Sequence, residues 1–239
     1  MIAAKLKGLI NGGLNTLGYE VRRQHSLEQA TWLREMNIET VLDVGANVGL
    51  FAASIRKLLP RAKIYAFEPV EACFEELSNR HSGDRLFRGF PYALGDRDGT
   101  AAFNVNDYTA SSSMLAMAPT HMEEYPFTAH ATPAEIRVHR LDTVAPELEL
   151  SGPMLVKLDV QGFELQVIEG GRETLAAADV IITEVLFAHL YEGQTSFEEL
   201  HAKLQNLGFR FHGTLEQTHS KRTALPLFCD AFFIKADKL

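Results

Sequence analysis

Asp43 stands two residues before Gly45 in the run DVGANVG, and Glu68 follows nineteen residues after Gly49 in the run YAFEP. Glycine lets backbone approach a ligand without a Cβ clash. A dinucleotide site favours G-x-G-x-x-G, in which amides and a helix N-terminus cradle a pyrophosphate. Here the spacing is G-x-x-x-G with a carboxylate beside it, and that carboxylate is unfavourable near phosphate and favourable near a cation. The turn therefore suits a positively charged nucleoside, and S-adenosylmethionine, with a sulfonium and an ammonium, has the required charge. Glu68 closes a second apolar run, where it is placed to accept hydrogen bonds from both ribose hydroxyls. The competing reading, a glycine turn that serves packing alone, is weakened by the apolar run before it and by Glu68 after it.

Asp159 and Glu184 end two further apolar runs, and His189 follows in a segment that reads as a loop. An alcohol that accepts a transferred group must lose its proton, and a well-placed base contributes about 10²–10⁴-fold. Asp159 is the first candidate base; its alternative roles are to orient a cofactor ammonium or to cap the following helix. Glu184 and His189 are candidates to bind or deprotonate the acceptor. A divalent-metal site built from the same three residues is an alternative, but no metal is expected. Ser111, Ser112 and Ser113 either donate hydrogen bonds to cofactor or acceptor or form a small-residue turn. Tyr108, Met114, Met117, Tyr125 and Phe127 either wall an apolar acceptor site or pack within their own loop. Glu198 and Glu199 read as a solvated helix face.

These groups need a scaffold that gathers strand ends. Thr40–Val44, Lys63–Phe67, Met154–Val160 and Val180–Val185 read as buried strands, and Leu50–Leu59, Glu71–Arg80, 164–176 and Phe197–Leu207 carry helical periodicity. A further helix begins after Ser26 and ends near Asn37. Leu86–Ala93 reads as a strand interrupted by Pro91, and two short terminal strands follow at 208–212 and 231–234. Ala101–Val105 and Ile136–Leu141 bracket an irregular stretch, 106–134, expected to be a lid or substrate loop. Alternating strands and helices imply a parallel sheet covered on both faces, with ligands at the carboxyl ends of the strands.

Composition narrows the class. With 239 residues, 46% hydrophobic and 23% charged, the chain reads as an ordinary soluble globular protein, and a single domain over 1–239 with an N-terminal helical segment, 1–38, is expected. A net charge of −8 supplies no basic field for phosphates, so no nucleic-acid partner is expected. Cys73 and Cys229 lie far apart and outside any metal-ligand spacing, which implies reduced thiols and a cytoplasmic location. Lys5 and Lys7 interrupt the first apolar residues, making a poor secretory signal, and no run is long enough to span a bilayer. The oligomeric state is not legible.

The blocks VLDVGANVG, YAFEP, ALGDRDG, ASSSML, VKLDVQGFELQVIEG and LYEGQTSFEEL, spread over about 40–200, resemble the FkbM-type S-adenosylmethionine-dependent methyltransferases. The first two blocks are shared by many methyltransferases; the Asp159 block and the serine run are more specific. The resemblance implies a Rossmann-like class I methyltransferase fold: an α/β, seven-stranded, mostly parallel sheet with an antiparallel strand near the C-terminus and helices on both faces. It implies methyl transfer to a hydroxyl of a small molecule or saccharide. Cofactor contacts are expected at Asp43, Gly45, Ala46, Asn47, Gly49, Glu68, Pro69, Ala93, Leu94, Ser112 and Asp159, and catalysis at Asp159, Glu184 and His189. Gln161 stands where the family commonly has glutamate, which removes any carboxylate role at that position. A noncatalytic cofactor-binding domain and, less favoured by the absent third glycine and Asp43, a nucleotide-dependent oxidoreductase are the alternatives.

Overall fold

A computed structural model describes residues 30–238. Strands β1 (Thr40–Val44), β7 (Met154–Leu158) and β8 (Val180–Leu186) are buried along their whole length. That is why they read as near-continuous apolar runs: helices cover both faces of the sheet they build. With β2 (Lys63–Phe67), β3 (Phe87–Phe90), β9 (Phe209–His219) and β10 (Pro226–Lys235) they form a seven-stranded sheet in the order β3-β2-β1-β7-β8-β10-β9. Every sheet neighbour is parallel except β10, which runs antiparallel to both β8 and β9. This is the class I methyltransferase arrangement the sequence implied. A second sheet, in the order β4-β6-β5, joins β4 (Ala93–Leu94), β5 (Gly99–Asn106) and β6 (Ala131–His139).

Alternate residues of the strands feed two cores. Leu42, Val44, Val156, Leu158, Ile181 and Val185 pack on one face with Val167 and Ile168 of α6 (Glu164–Gly170) and with Leu200 and Leu204 of α8 (Phe197–Asn206). Val41, Leu155, Val180 and Ile182 pack on the other face with Leu33 of α1 (Trp32–Glu35) and with Ala52, Ile55 and Leu58 of α2 (Leu50–Leu58). The i, i+3, i+6 spacing of those α2 residues is the helical stripe visible in the sequence. Helix α3 (Glu71–Arg80) buries Cys73 and Leu77, and both cysteines are buried free thiols.

Several expected boundaries move, each for a local reason. The helix read over 164–176 is two, α6 and α7 (Arg172–Ala176). At the break, a Cβ on Gly170 would sit 1.8 Å from the Gly95 carbonyl oxygen, and one on Gly171 would press on Leu141 of α5 (Leu141–Val144). The stretch 106–134 is less irregular than expected: β6 begins at Ala131, and the segment before it holds α4 (Pro119–Glu124) between two short 3₁₀ turns. Pro133 fits inside β6 because β4 pairs only with Val138 and His139, which leaves β6 paired on one side at the proline. The terminal strands are also longer than expected; the outer half of β9 is edge strand whose one apolar residue is Leu215. The helix expected over 26–37 is seen only as α1, its beginning lying outside the described residues.

Candidate active site

Register places the charges before any side chain is considered. Asp43 of β1 lies opposite Lys157 of β7, Lys157 opposite Ile182 of β8, and Glu184 opposite Asp230 of β10. Paired residues share a face, so Asp43, Lys157, Glu184 and Asp230 form a charged row on one face at the carboxyl ends of the parallel strands. The Lys157 ammonium lies 2.8 Å from Asp159 Oδ2, 4.0 Å from Asp43 Oδ1 and 5.2 Å from the centre of the Phe51 ring. Burial alone would push that ammonium down, but Asp159 and Asp43 hold it above its ordinary range.

Asp43 is fully buried, and neither of its oxygens finds a hydrogen-bond partner in the protein. Its removal from water raises it to about 6, against the pull of Lys157. Glu68 is held differently: the Asn47 amide donates to Oε2 and the Val70 amide to Oε1, each at 2.8 Å. Burial raises Glu68 to about 7 despite those two bonds. Each Glu68 oxygen keeps a second lone pair free to accept.

The turn between β1 and α2 closes tightly on the protein. Gly45 and Ala46 donate to the Phe67 carbonyl, and the Asp159 amide donates to the Val44 carbonyl, which ties three strand ends together. Gly45 and Gly49 adopt φ of 79° and 81°, where glycine is favoured. A Cβ on Gly45 would meet the Asp159 carbonyl oxygen at 1.9 Å, and one on Gly49 would meet Leu77 Cδ1 at 2.6 Å. Protein packing thus demands both glycines, beyond the ligand access that the sequence suggested.

Two connected hollows open at these strand ends. A slot of about 90 Å³ is lined by Glu68, Pro69, Ala93, Leu94, Ser112 and Phe163, among others, and a wider lobe of about 690 Å³ by Ala46, Phe51, Lys157 and Asp230. Gly45, Asn47, Ala110 and Asp159 line both. Of the expected cofactor contacts, Gly45, Asn47, Glu68, Pro69, Ala93, Leu94, Ser112 and Asp159 line the slot and Ala46 the lobe. Asp43 lies buried beneath them, and Gly49 lines neither hollow.

Asp159 and Glu184 are brought together by a residue that the sequence reading set aside. The Gln161 amide nitrogen donates to Asp159 Oδ1 at 2.8 Å and to Glu184 Oε2 at 2.9 Å. Its Oε1 accepts from the Tyr191 hydroxyl at 2.7 Å. Burial, with the charges of Asp159, Glu164 and Asp230, raises Glu184 well above the ordinary carboxylate range. Glu164, rather than Asp159, accepts from the backbone amides that precede α6, those of Val160 and Gly162. His189 is not part of this group: it is exposed, lies 3.6 Å from Glu192, and lines neither hollow. Among the described residues no cluster of His, Cys, Asp and Glu is arranged to hold a metal ion.

The serine run mostly fastens its own segment. Ser112 Oγ accepts from the Asn106 amide while lining the slot, Ser113 Oγ donates to the Gln161 carbonyl, and the Ser111 carbonyl faces Tyr191. Met114 lines the slot, Met117 bridges to Tyr191, and Tyr125 packs against His121 and Phe127. Tyr108 and Phe127 are exposed in edge-to-face contact. Glu199 does not merely face solvent: it closes a capping box with Ser196 at the start of α8. Sequence reasoning missed Lys157, Gln161, Tyr191 and Asp230. A charge inside an otherwise apolar strand, as in MLVKL and FCDAFF, is the signal that marks Lys157 and Asp230.

The sheet order, with its one reversed strand and an acid-lined crevice at the strand ends, defines a class I methyltransferase. The chain belongs to the FkbM family: the Methyltransferase FkbM domain matches residues 43–211. A 2-O-methyltransferase, NoeI, of Sinorhizobium fredii is 33% identical over 173 residues, which cover 70% of this chain and 71% of that protein. A hexuronic acid methyltransferase, AglP, of Haloferax volcanii is 27% identical over 157 residues, 64% of this chain and 59% of that one. The crystal structure of an FkbM methyltransferase from Methylobacillus flagellatus has a TM-score of 0.51 at 13% identity, covering 82% of this chain and 43% of that one. Among the described residues no helix is long and apolar enough to cross a membrane.

Proposed function

We propose that the chain is an S-adenosylmethionine-dependent O-methyltransferase whose acceptor is a hydroxyl of a saccharide or other small molecule. The observation that carries this reading is Asp43: a fully buried carboxylate with no hydrogen-bond partner in the protein, beside a crevice at the strand ends. An unsatisfied buried anion is costly, and a cationic ligand removes the cost. The residues present fit the cofactor, with Glu68 to hold the ribose hydroxyls, the slot side chains Leu94 and Phe163 to flank the base, Asp159 to face its positive charge and Asp43, beneath the lining, to add negative potential there. The cofactor, when bound, supplies an electrophilic methyl group on sulfur.

The chain's own residues supply position and a proton acceptor. Asp159 lines both hollows and is the candidate to take the acceptor hydroxyl's proton, with Glu184 beside it across the Gln161 amide. Lys157 donates to Asp159 Oδ2 at 2.8 Å and so fixes its orientation. His189 is left out of this mechanism because of its exposure. The 2-O-methyltransferase name of NoeI supports an oxygen acceptor, and the hexuronic acid in the name of AglP supports a saccharide. The two buried free thiols fit a reducing, cytoplasmic setting.

Incubating the chain with S-adenosylmethionine and a panel of glycans, glycolipids and polyketides, read by mass spectrometry, tests the assignment. A gain of one methyl group on an acceptor oxygen is expected. Tight cofactor binding with no methyl gained by any acceptor would favour the noncatalytic alternative.

A further inference from the structure

Gln161 uses every hydrogen-bonding group of its side chain on the acid pair and its anchor. Its two amide hydrogens go one each to Asp159 Oδ1 and Glu184 Oε2, and its Oε1 accepts from the Tyr191 hydroxyl at 2.7 Å, closer than the Ser111 carbonyl that the same hydroxyl reaches at 3.3 Å. The reversed amide would set a carbonyl oxygen against two carboxylates, so the Tyr191 bond and the two acids select one orientation. The backbone is held as firmly. Gln161 has φ of 54°, a left-handed conformation uncommon outside glycine, and Ser113 Oγ donates to its carbonyl at 2.8 Å. Tyr191 is itself fully buried, edge-to-face with His121, and bridged through its backbone to Met117.

We propose that Gln161 is a positioning residue for methyl transfer, holding Asp159 and Glu184 at a fixed separation as one acid pair, and that Tyr191 sets the orientation of its amide. This rests on the methyltransferase reading above. An amide here is neutral and donates twice; a carboxylate would do neither. The pair is faced by Lys157 of β7, Asp43 of β1, Asp230 of β10, Glu164 of α6, and the Tyr125 and Tyr191 phenols. Lys157 is the cation among them, so a further carboxylate at 161 finds little compensation. It would drive a proton onto the group and raise the pH at which the pair becomes an acceptor of protons.

The test compares wild type with Gln161→Glu and Tyr191→Phe, both shape-conserving. In Gln161→Glu the acid limb of kcat/KM is expected to move up by about one pH unit or more, with activity recovered in part at alkaline pH. In Tyr191→Phe kcat is expected to fall on the order of tenfold, with S-adenosylhomocysteine affinity by calorimetry held. A second readout is independent of turnover: ¹³C-carboxyl titration of Glu184 by NMR, whose midpoint is expected to rise in Gln161→Glu. An unmoved Glu184 midpoint together with a pH-independent loss would overturn the proposal, as would full kcat in Tyr191→Phe. If wild type transfers no methyl group to any acceptor, the methyltransferase reading falls, and the Glu184 titration alone decides the role of Gln161.

Discussion

At the scale of single residues, substitutions separate binding from proton transfer. Glu68 spends one lone pair of each oxygen on a backbone amide and keeps the others free, which is the basis of its proposed hold on a ribose. A hydrogen bond to a charged group contributes about 1.5–3 kcal/mol. Glu68→Ala should therefore weaken S-adenosylhomocysteine binding by roughly 10- to 100-fold in calorimetry, and equal affinity would remove the ribose assignment. Asp159→Asn keeps the shape of a group that lines both hollows, so cofactor affinity should hold while turnover falls on the order of 10²-fold or more. Unchanged turnover would exclude Asp159 as base. Asp43 and Glu68 were legible in the sequence because their residue type and their spacing from two glycines carry the chemistry. Gln161 and Tyr191 were not, because their roles exist only in the contact between 161 and 191, thirty residues apart. His189 is the converse case: a suitable residue type, in a loop that leaves it in solvent.

At the scale of elements, the glycine turn is both a structural joint and part of the crevice lining. Gly49 begins α2 in a left-handed conformation and packs against Leu77 and His81 of and beside α3. Gly49→Ala should cost about 1–3 kcal/mol, seen as a melting temperature lower by several degrees, even though Gly49 lines neither hollow. A loss of cofactor affinity with unchanged stability would contradict that placement. Helix α8 offers a control outside both hollows: Ser196→Ala removes the capping-box hydroxyl and should cost about 1 kcal/mol in denaturant unfolding with activity retained. The strands of the main sheet and helices α2, α3 and α8 were readable because a single periodicity runs through each. The break at Gly170 and Gly171, the start of β6 at Ala131 and the outer half of β9 were not, because each is set by a neighbour rather than by its own pattern.

At the scale of the molecule, the charged crevice links stability to pH. Burial raises Asp43 and Asp230 to about 6 and Glu68 and Glu164 to about 7, from ordinary values of 3.8 and 4.5. Between those limits the folded chain holds protons that the unfolded chain has released. The stability these groups contribute is complete below the unfolded values and is lost as pH rises through 6 to 7. The unliganded protein should therefore melt at a lower temperature near pH 8 than near pH 5.5, and the cationic cofactor should restore much of the difference, since it favours the ionised carboxylates. A melting temperature that rises steadily over that range would contradict the assignment of these buried acids. The parallel sheet followed from alternating strand and helix patterns, and its reversed strand from the family blocks alone; the strand order and the row of charges across β1, β7, β8 and β10 required the structure. The most direct test of the whole is a crystal structure with S-adenosylhomocysteine. The account predicts its ribose within hydrogen-bonding distance of Glu68 and its sulfur in the crevice beside Asp43 and Asp159; density for it anywhere else would contradict the account.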